Sequence, residues 1–160
     1  DIINSIFINS ILRGLIMGKI SHVVVLTIGS DGCKKAVDKG IKIAIKENCK
    51  ITFIYIVDTS FLSGIPRRIH GVNRAEKDLN RIGRIILERA REKAIKKEAK
   101  VATAIRTGNI MEELERFLKE SKGDLLIISS EKRGFLDTHL SLISSKRLEE
   151  ITGISVLEIE

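Results

Sequence analysis

Residues 101–130 read VATAIRTGNIMEELERFLKESKGDLLIISS, and this stretch decides the fold. It opens on a run rich in β-branched residues, turns at Gly108-Asn109, and then repeats apolar residues at helical spacing. The helical pattern ends near Gly123, and Leu125–Ser129 is a short apolar run of the kind that forms buried strands. The order strand, helix, strand predicts a βαβ unit, in which the two strands run parallel.

The same alternation covers the chain from residue 21 to residue 160. Further strands are predicted at His22–Ile28, Ile51–Val57 and Ile154–Ile159. Helices are predicted between the first two strands, over 74–98, and around Leu148. Strands that alternate with helices in this way predict a three-layer α/β/α domain built on one doubly wound parallel sheet of five strands.

The composition is that of one globular domain of 160 residues, of which 43% are hydrophobic. Aromatic residues make up 4%, which argues against a surface that stacks single-stranded nucleic acid. Two cysteines, Cys33 and Cys49, exclude a disulfide-rich secreted framework, and they stand too far apart on one predicted helix to pair. Reduced thiols predict a cytoplasmic protein.

The net charge of +7 is concentrated in one segment, because residues 67–100 hold 12 basic residues against 5 acidic ones. Such a segment either binds nucleic acid or an acidic partner, or forms the solvated face of a helix rich in Lys and Glu. The interspersed glutamates favour the solvated face, and we predict no binding to nucleic acid. Apolar residues at helical spacing predict the buried side of this helix, which consists of Leu79, Ile82, Ile86 and Ala90.

Residues 1–20 are predicted to form an apolar N-terminal extension to the domain over 21–160. Polar residues such as Asn4, Asn9 and Arg13 interrupt its apolar run, so no membrane-spanning helix is predicted. The segment also lacks the basic start and small-residue cleavage site of a signal peptide. An added helix and a linker within a longer protein both stay open. As a helix, the extension would have to cover its apolar side, for example on a partner subunit.

In a doubly wound sheet, ligands bind beyond the carboxyl ends of the strands, where the strand order reverses. The rule places the candidate site at residues that follow the strands: Thr27, Ile28, Gly29, Ser30, Gly108, Ser129, Ser130, Lys132 and Arg133, with Ser141 nearer the last helix. Hydroxyls and N–H groups at a helix start, beside two cations, suit a phosphate. An ordinary polar loop followed by a helix cap has the same composition, and both interpretations stay open.

The residue sets typical of catalysis are absent from the sequence. The three histidines stand apart from one another, and none pairs with cysteine or carboxylate at ligand spacing, so no metal site is predicted. No phosphate-binding lysine motif occurs, and no G-x-G-x-x-G follows the first strand. We therefore predict that the protein is not an enzyme and has no catalytic residues.

Residues 21–159 resemble the universal stress protein family. The resemblance lies in four stretches that follow one another in the family's order and spacing: VVVLTIGSDGCKKAV (23–37), KITFIYIVD (50–58), the stretch 101–130 quoted above, and ISSKRLEEITGISVLEI (143–159). It implies the adenine nucleotide alpha hydrolase-like fold, with strand order 3-2-1-4-5. It also implies a homodimer, which this family commonly forms through the last strand.

The resemblance implies an adenine-nucleotide cleft as well, because some members of the family bind ATP. Those members carry Asp at the end of the first strand, and G-x-x-G, nine residues, then G-(S/T) after the fourth. Here Ile28 stands at the Asp position, Ser129 and Lys132 at the first two glycine positions, and Leu142 or Ser141 at the third. Side chains at glycine positions crowd the approach of a phosphate. The cleft is therefore predicted to be degenerate, with ATP or AMP as candidate ligands and Lys132 as a cation for phosphate.

The leading hypothesis is a regulatory or stress-response domain that acts as a homodimeric binding module. The alternative is an ATP-binding protein or slow ATPase switch with a non-standard phosphate loop. That alternative requires Mg²⁺ and a positioned water, and Asp31, Asp58 and Asp137 are its candidate metal ligands.

Overall fold

The computed structural model of the chain describes residues 20–28, 31–60, 71–129 and 144–159. These residues form five strands: β1 (His22–Leu26), β2 (Lys50–Asp58), β3 (Lys100–Gly108), β4 (Leu125–Ser129) and β5 (Ser155–Ile159). All neighbours pair in parallel, and the order in the sheet is β3-β2-β1-β4-β5. The predicted strand order and fold class are confirmed.

Helices cover both faces of this sheet. Those of the described residues are α1 (Asp31–Lys46), α2 (Val72–Lys96), α3 (Ile110–Ser121) and α4 (Ser145–Thr152). In β1, Val23 and Val25 pack with residues of α1 and α2, whereas Val24 and Leu26 pack with residues of α3 and α4. The alternation along one buried strand therefore supplies a core to each side of the sheet.

The buried side of α2 differs from the predicted one. Ala90 is buried as predicted, but Ile82 is 48% exposed. A Cβ atom at Gly83 would stand 2.3 Å from the Tyr55 ring of β2, which shows how closely the helix approaches the sheet. Since the contact is made through small side chains, the isoleucines flank it instead of filling it. The buried residues are Val72, Gly83, Leu87, Ala90 and Ala94.

The basic segment is a solvated surface where the structure describes it. The lysines and arginines from Arg74 to Lys100 are all exposed. Some face acidic partners: Arg91 Nη1 lies 3.1 Å from Glu88 Oε1, and Lys93 Nζ lies 3.4 Å from Asp38 Oδ1 on α1. These contacts agree with the predicted solvated helix face, and exposed pairs of this kind contribute little to stability. That the segment binds no nucleic acid stays a prediction.

Both cysteines are buried and form no disulfide, as the spacing predicted: Cys33 lies in the first turn of α1, and Cys49 lies three residues beyond its last residue, Lys46. The predicted N-terminal extension is a different case, because residues 1–19 lie outside the described residues, so its helix or linker character stays a prediction. Among the helices that the structure describes, none is both long enough and apolar enough to cross a membrane.

A histidine closes the amino-terminal edge of the sheet. His22 is 7% exposed, its Nδ1 lies 3.0 Å from the Ser121 carbonyl oxygen, and its Nε2 lies 2.7 Å from Thr52 Oγ1. Burial lowers the pKa of His22 from its usual value. The hydrogen bond to Ser121 and the charge of Asp124 oppose this shift, and the charge of Lys50 adds to it. His22 is thus held in its neutral form.

We expect His22 to make the fold sensitive to acid. Because its pKa is lower in the folded chain than the usual 6.5, its contribution to stability is present above pH 6.5. That contribution is lost as the pH falls through the lowered pKa. The His22→Gln variant does not titrate at this position. Urea unfolding at about pH 7.5 and about pH 5 should show a larger loss of unfolding free energy for the natural chain than for the variant. Equal losses would contradict the prediction.

The close approach of α1 to the sheet gives a second prediction. A Cβ atom at Gly40 would stand 2.5 Å from Val25 Cγ2 and 3.1 Å from Ile51 Cδ1. Gly40→Ala would raise helix propensity by about 0.5–1 kcal/mol, but overpacking against two strands costs about 1–3 kcal/mol. Chemical denaturation should therefore show a net loss of stability. The matched control is Lys42→Ala on the exposed side of α1, with an expected change below about 0.5 kcal/mol. An unchanged or raised stability for Gly40→Ala would refute the close packing.

Candidate functional site

The carboxyl ends of β1 and β4 lie side by side where the strand order reverses. Val25 of β1 pairs with Ile127 of β4, and two further residues along each strand bring Thr27 beside Ser129. Neighbouring strands of a sheet are about 4.8 Å apart. Thr27, Ile28 and Ser129, all predicted site residues, therefore share one edge of the sheet.

The sheet edge has a step at this point. Leu26, the last residue of β1, pairs with Ile54, whereas β2 continues for 4 further residues to Asp58. At about 3.3 Å per residue, β2 extends about 13 Å beyond the end of β1. Asp58 in turn pairs with Gly108, so β3 extends equally far. We call this stepped edge the switch-point notch: its floor is Thr27 and Ser129, and one wall is formed by the last four residues of β2 and of β3.

Thr27 uses both of its hydrogen-bond donors on the backbone of β2. The residue is fully buried, and both its N–H and its hydroxyl donate to the Ile54 carbonyl oxygen, at 2.8 and 2.9 Å. A hydroxyl that donates to a buried carbonyl has no second proton to give to a ligand. Thr27 therefore shapes the floor of the notch and fastens β1 to β2.

Ile28 places an apolar side chain next to the floor of the notch. Its side chain is half-buried and packs against both core clusters, one on each face of the sheet. Its N–H donates to Cys33 Sγ at 3.2 Å, which ties the end of β1 to the first turn of α1. An aliphatic side chain here can contact a base or sugar but cannot accept a hydrogen bond from either.

Ser129 ends β4 at the floor of the notch, and the residue is 9% exposed. The other predicted residues that flank it lie outside the described residues: Gly29, Ser30, Ser130, Lys132, Arg133 and Ser141. The structure therefore brings together Thr27, Ile28 and Ser129, and the phosphate-binding role of the loop after β4 stays a prediction.

Gly108 lies away from the floor of the notch. It ends β3, two strands from β1, and its carbonyl oxygen accepts a hydrogen bond from the Thr59 N–H at 3.1 Å. Its φ of +149° suits glycine, and a Cβ there would stand 3.0 Å from Glu113 Cγ. These contacts give Gly108 a structural reason to be glycine: it lets β3 turn into α3 and helps hold the wall.

The wall also contains residues that the sequence did not single out. Ser60 caps the end of β2, because its N–H and its hydroxyl both donate to Asp58 Oδ1, at 2.9 and 2.5 Å. Tyr55 is half-buried where the wall begins, and burial raises its pKa. The sequence held one sign that a large side chain packs against α2, namely Gly83 inside an otherwise regular helix. The Tyr55 ring takes the space that a side chain at Gly83 would occupy.

The described residues contain no group of three or more His, Cys, Asp or Glu side chains arranged to hold a metal ion. Of the three aspartates considered as magnesium ligands, Asp58 stands on the wall with its Oδ1 engaged by Ser60. The side chain of Asp31 and the whole of Asp137 lie outside the described residues.

A parallel sheet with this strand order and helices on both faces defines the class of doubly wound α/β domains. Domains of this class bind ligands where the strand order reverses. The family model described as "Universal stress protein family" matches residues 19–148. The chain belongs to the universal stress protein family. Its relatives include the universal stress protein YxiE of Bacillus subtilis (strain 168), which is 28% identical over 110 residues. That match covers 64% of this chain and 73% of the relative.

Solved structures of the family share the fold. A protein from the universal stress protein family of Burkholderia pseudomallei has a TM-score of 0.70 at 18% identity, over 89% of this chain and 97% of that one. A universal stress protein solved in complex with cAMP has a TM-score of 0.65 at 22% identity, over 89% and 99%. A family protein of Arabidopsis thaliana with AMP bound has a TM-score of 0.55 at 17% identity, over 87% and 90%.

The contacts of Thr27 predict a structural role that can be measured. Thr27→Val keeps the volume and removes the hydroxyl that donates to the Ile54 carbonyl oxygen. We expect a loss of about 1 kcal/mol in unfolding free energy by urea denaturation. Thr107→Val, at an exposed position of β3, is the control and should stay within about 0.5 kcal/mol of the natural chain. A Thr27→Val variant as stable as the control would show that the hydroxyl does not fasten β1 to β2.

Proposed function

We propose that this chain is a regulatory domain of the universal stress type, not an enzyme, which binds an adenine nucleotide weakly in the switch-point notch. The observation that carries the proposal is the stepped edge itself. Thr27 and Ser129 form a floor between two strands that diverge in their onward connections, and β2 and β3 rise beside it. Such a space at the carboxyl edge of a doubly wound sheet is where this class of fold takes its ligands. We place the protein in the cytoplasm, in accord with two cysteines that form no disulfide.

Two relatives narrow the ligand class. One was solved in complex with cAMP and another with AMP bound, and each shares the fold over at least 87% of this chain. Both ligands are adenosine with a single phosphate. A monophosphate makes fewer demands on a phosphate-binding loop than a triphosphate does, so AMP or cAMP suits a cleft without the glycines of ATP-binding members.

The residues of the notch support weak binding and a poor fit for triphosphate. Ile28 offers apolar contact and no acceptor for base or ribose. Ser129 presents a Cβ where close approach of a phosphate favours glycine. Lys132 supplies a cation that offsets part of this loss. For the slow-ATPase alternative, Asp58 is the candidate magnesium ligand whose side chain the structure describes, and its Oδ1 accepts hydrogen bonds from Ser60.

We also propose that the domain works as a homodimer, with the β5 edge as the contact between two copies. The two edges of the sheet are β3 and β5, and half-buried apolar side chains, Ile154 and Val156, lie in and next to β5. A parallel sheet left open at an edge offers hydrogen-bonding groups to another strand.

Isothermal titration calorimetry with AMP, cAMP, ADP and ATP at millimolar levels tests the nucleotide. We expect heats of binding for AMP or cAMP and no tighter binding of ATP. Ser129→Gly removes the obstructing Cβ, so its affinity for ATP should rise about threefold or more. Ser130→Gly is the matched control in the same loop, at a position that is not glycine in ATP-binding members, and should leave ATP binding unchanged.

Two results would overturn this function. The absence of heat with all four nucleotides would exclude the notch as an adenine-nucleotide site. A natural chain that binds ATP more tightly than AMP, with no gain from Ser129→Gly, would show that the cleft is not degenerate.

A further inference from the structure

The third strand is a long edge of the sheet. β3 has 9 residues, against 5 in β5, and within the described sheet it pairs with β2 on one side and with no strand on the other. Thr103 and Thr107 are exposed along it, and Val101 and Ile105 are half-buried. An edge strand offers its outward N–H and C=O groups to any strand that can approach it. β3 is therefore a template for an added strand.

The contacts of α2 show which side of this helix lies over the β3 edge. The helix packs on β2 and β3 and buries Gly83 and Ala90. Lys93, on one side of this buried face, forms an ion pair with Asp38 of α1. At about 3.6 residues per turn, the residues on the other side of the buried face point away from α1 and toward the β3 edge. This outer flank of α2 consists of Asn73, Lys77, Asn80 and Arg84.

A cavity of about 480 Å³ lies along the outer flank. From the first to the last residue of its lining the helix rises about 16 Å, which is the length of about five residues of extended chain. The cavity therefore has the length of a short extended peptide. The side chains of the described residues that line it are all polar or charged: Asn73, Glu76, Lys77, Asn80, Arg81 and Arg84.

The lining carries excess positive charge, because it has three cations against one carboxylate, Glu76. Lys77, Arg81 and Arg84 follow one another at spacings of four and three residues, at which like charges destabilise a helix. Arg81 Nη1 lies 3.9 Å from Asp78 Oδ1, whereas Lys77 and Arg84 form no salt bridge with the described residues. An anion in the cavity would relieve this repulsion.

The guanidinium of Arg84 is oriented for such a contact. Its Nε donates to Asn80 Oδ1 at 3.0 Å, one turn earlier on the same flank. This bond uses one of the five N–H donors of the side chain and leaves the two terminal amino groups for another acceptor. Two parallel bonds from those groups to one carboxylate are the strong arrangement for arginine.

Charge also decides which strand can add to this edge. Lys100 is exposed at the start of β3, on the same edge as the cations of the outer flank. On the opposite face of the sheet, Arg106 is already paired with Glu120 at 3.2 Å, so the excess charge is that of the α2 side. Two copies of this edge would bring like charges together, whereas an acidic strand would meet opposite charges.

We propose that the β3 edge and the outer flank of α2 form one docking groove for an acidic, extended segment of a partner protein. The segment adds a strand beside β3, and its carboxylates pair with Lys77 and Arg84. Main-chain hydrogen bonds supply the affinity in strand addition, and the charge pairs supply the selectivity. The groove lies at the opposite edge of the sheet from β5, so the inference is independent of the homodimer and of nucleotide binding.

Fluorescence anisotropy with labelled peptides of about ten residues and the full chain tests the groove. We expect a peptide of alternating Glu and Val to bind with a dissociation constant below about 1 mM at low salt. The affinity should fall about tenfold or more between about 0.05 M and about 0.5 M NaCl. A peptide of alternating Lys and Val should not bind. The acidic peptide with every backbone nitrogen methylated keeps its charges but has no N–H donor, and should bind about tenfold more weakly or worse.

Three outcomes of the peptide experiment would overturn the proposal. Absence of acidic-peptide binding at about 1 mM would refute the groove. Equal affinity of the methylated peptide would show that no strand is added to the sheet. Binding of a single-stranded DNA probe of similar length, with no binding of the acidic peptide, would assign the cations to nucleic acid instead of an acidic protein segment.

Two charge reversals on α2 form a matched pair. Arg84→Glu changes the outer flank, whereas Arg89→Glu makes the same change in net charge at an exposed position on the side of Lys93. We expect the dissociation constant of the acidic peptide to rise about tenfold or more in Arg84→Glu and to stay within about threefold in Arg89→Glu. Lys77→Gln, which removes one charge and adds none, should raise it about threefold. Equal effects of the two reversals would show that net charge alone attracts the peptide and would refute the groove.

Amide hydrogen exchange of the natural chain locates the added strand. With saturating acidic peptide, the β3 amides that face away from β2 should exchange about tenfold more slowly or less, while amides of β1 and β5 keep their rates. Protection of β5 amides with no change in β3 would show that the peptide adds to the other edge and would overturn the placement at β3.

Discussion

Every other feature of this molecule depends on the two-sided pairing of β1. The strand HVVVL is buried along its whole length, pairs with β2 on one side and β4 on the other, and gives alternate side chains to two separate cores. A strand in this position leaves no backbone group open except beyond its carboxyl end. Within the described sheet, the strand order reverses between β1 and β4, and Thr27 and Ser129 lie at the carboxyl ends of these two strands.

The fold could be predicted because parallel strands that are buried on both faces appear in the sequence as continuous apolar runs. β4 was predicted residue for residue, and β1 was predicted two residues too long, since Thr27 and Ile28 continue the apolar pattern after the ladder ends. The buried face of α2 was predicted wrongly, because the apolar spacing was followed through large residues such as Ile82. The structure packs the small ones, Gly83 and Ala94, against the sheet, which hydropathy alone does not reveal.

The position of the candidate site on the sheet followed from topology, and that a ligand binds there stays a prediction. Topology alone located the notch, since the crossover rule depends only on strand order. Which side chains are available to a ligand depends on bonds that a sequence does not record. Thr27 lies at the floor, yet its hydroxyl is bound to Ile54, and Gly108 fits the family pattern while the turn beside Glu113 explains its presence. The hydrogen bond between Val156 N–H and Glu149 joins residues only 7 apart. It depends on the left-handed turn at Gly153 that ends α4, and the spacing of apolar residues does not predict such a turn.

The notch and the β5 edge are joined by a single run of chain. This run follows Ser129 and leads to α4, which the Ser144 hydroxyl caps by accepting from Arg147 N–H at 3.2 Å. The helix that follows has 8 residues and is anchored to the core by Leu148, which is fully buried next to Glu149. Because Leu148 packs in the core that also contains Leu26 of β1 and Ile128 of β4, a shift of α4 would disturb the packing next to the carboxyl ends of these two strands.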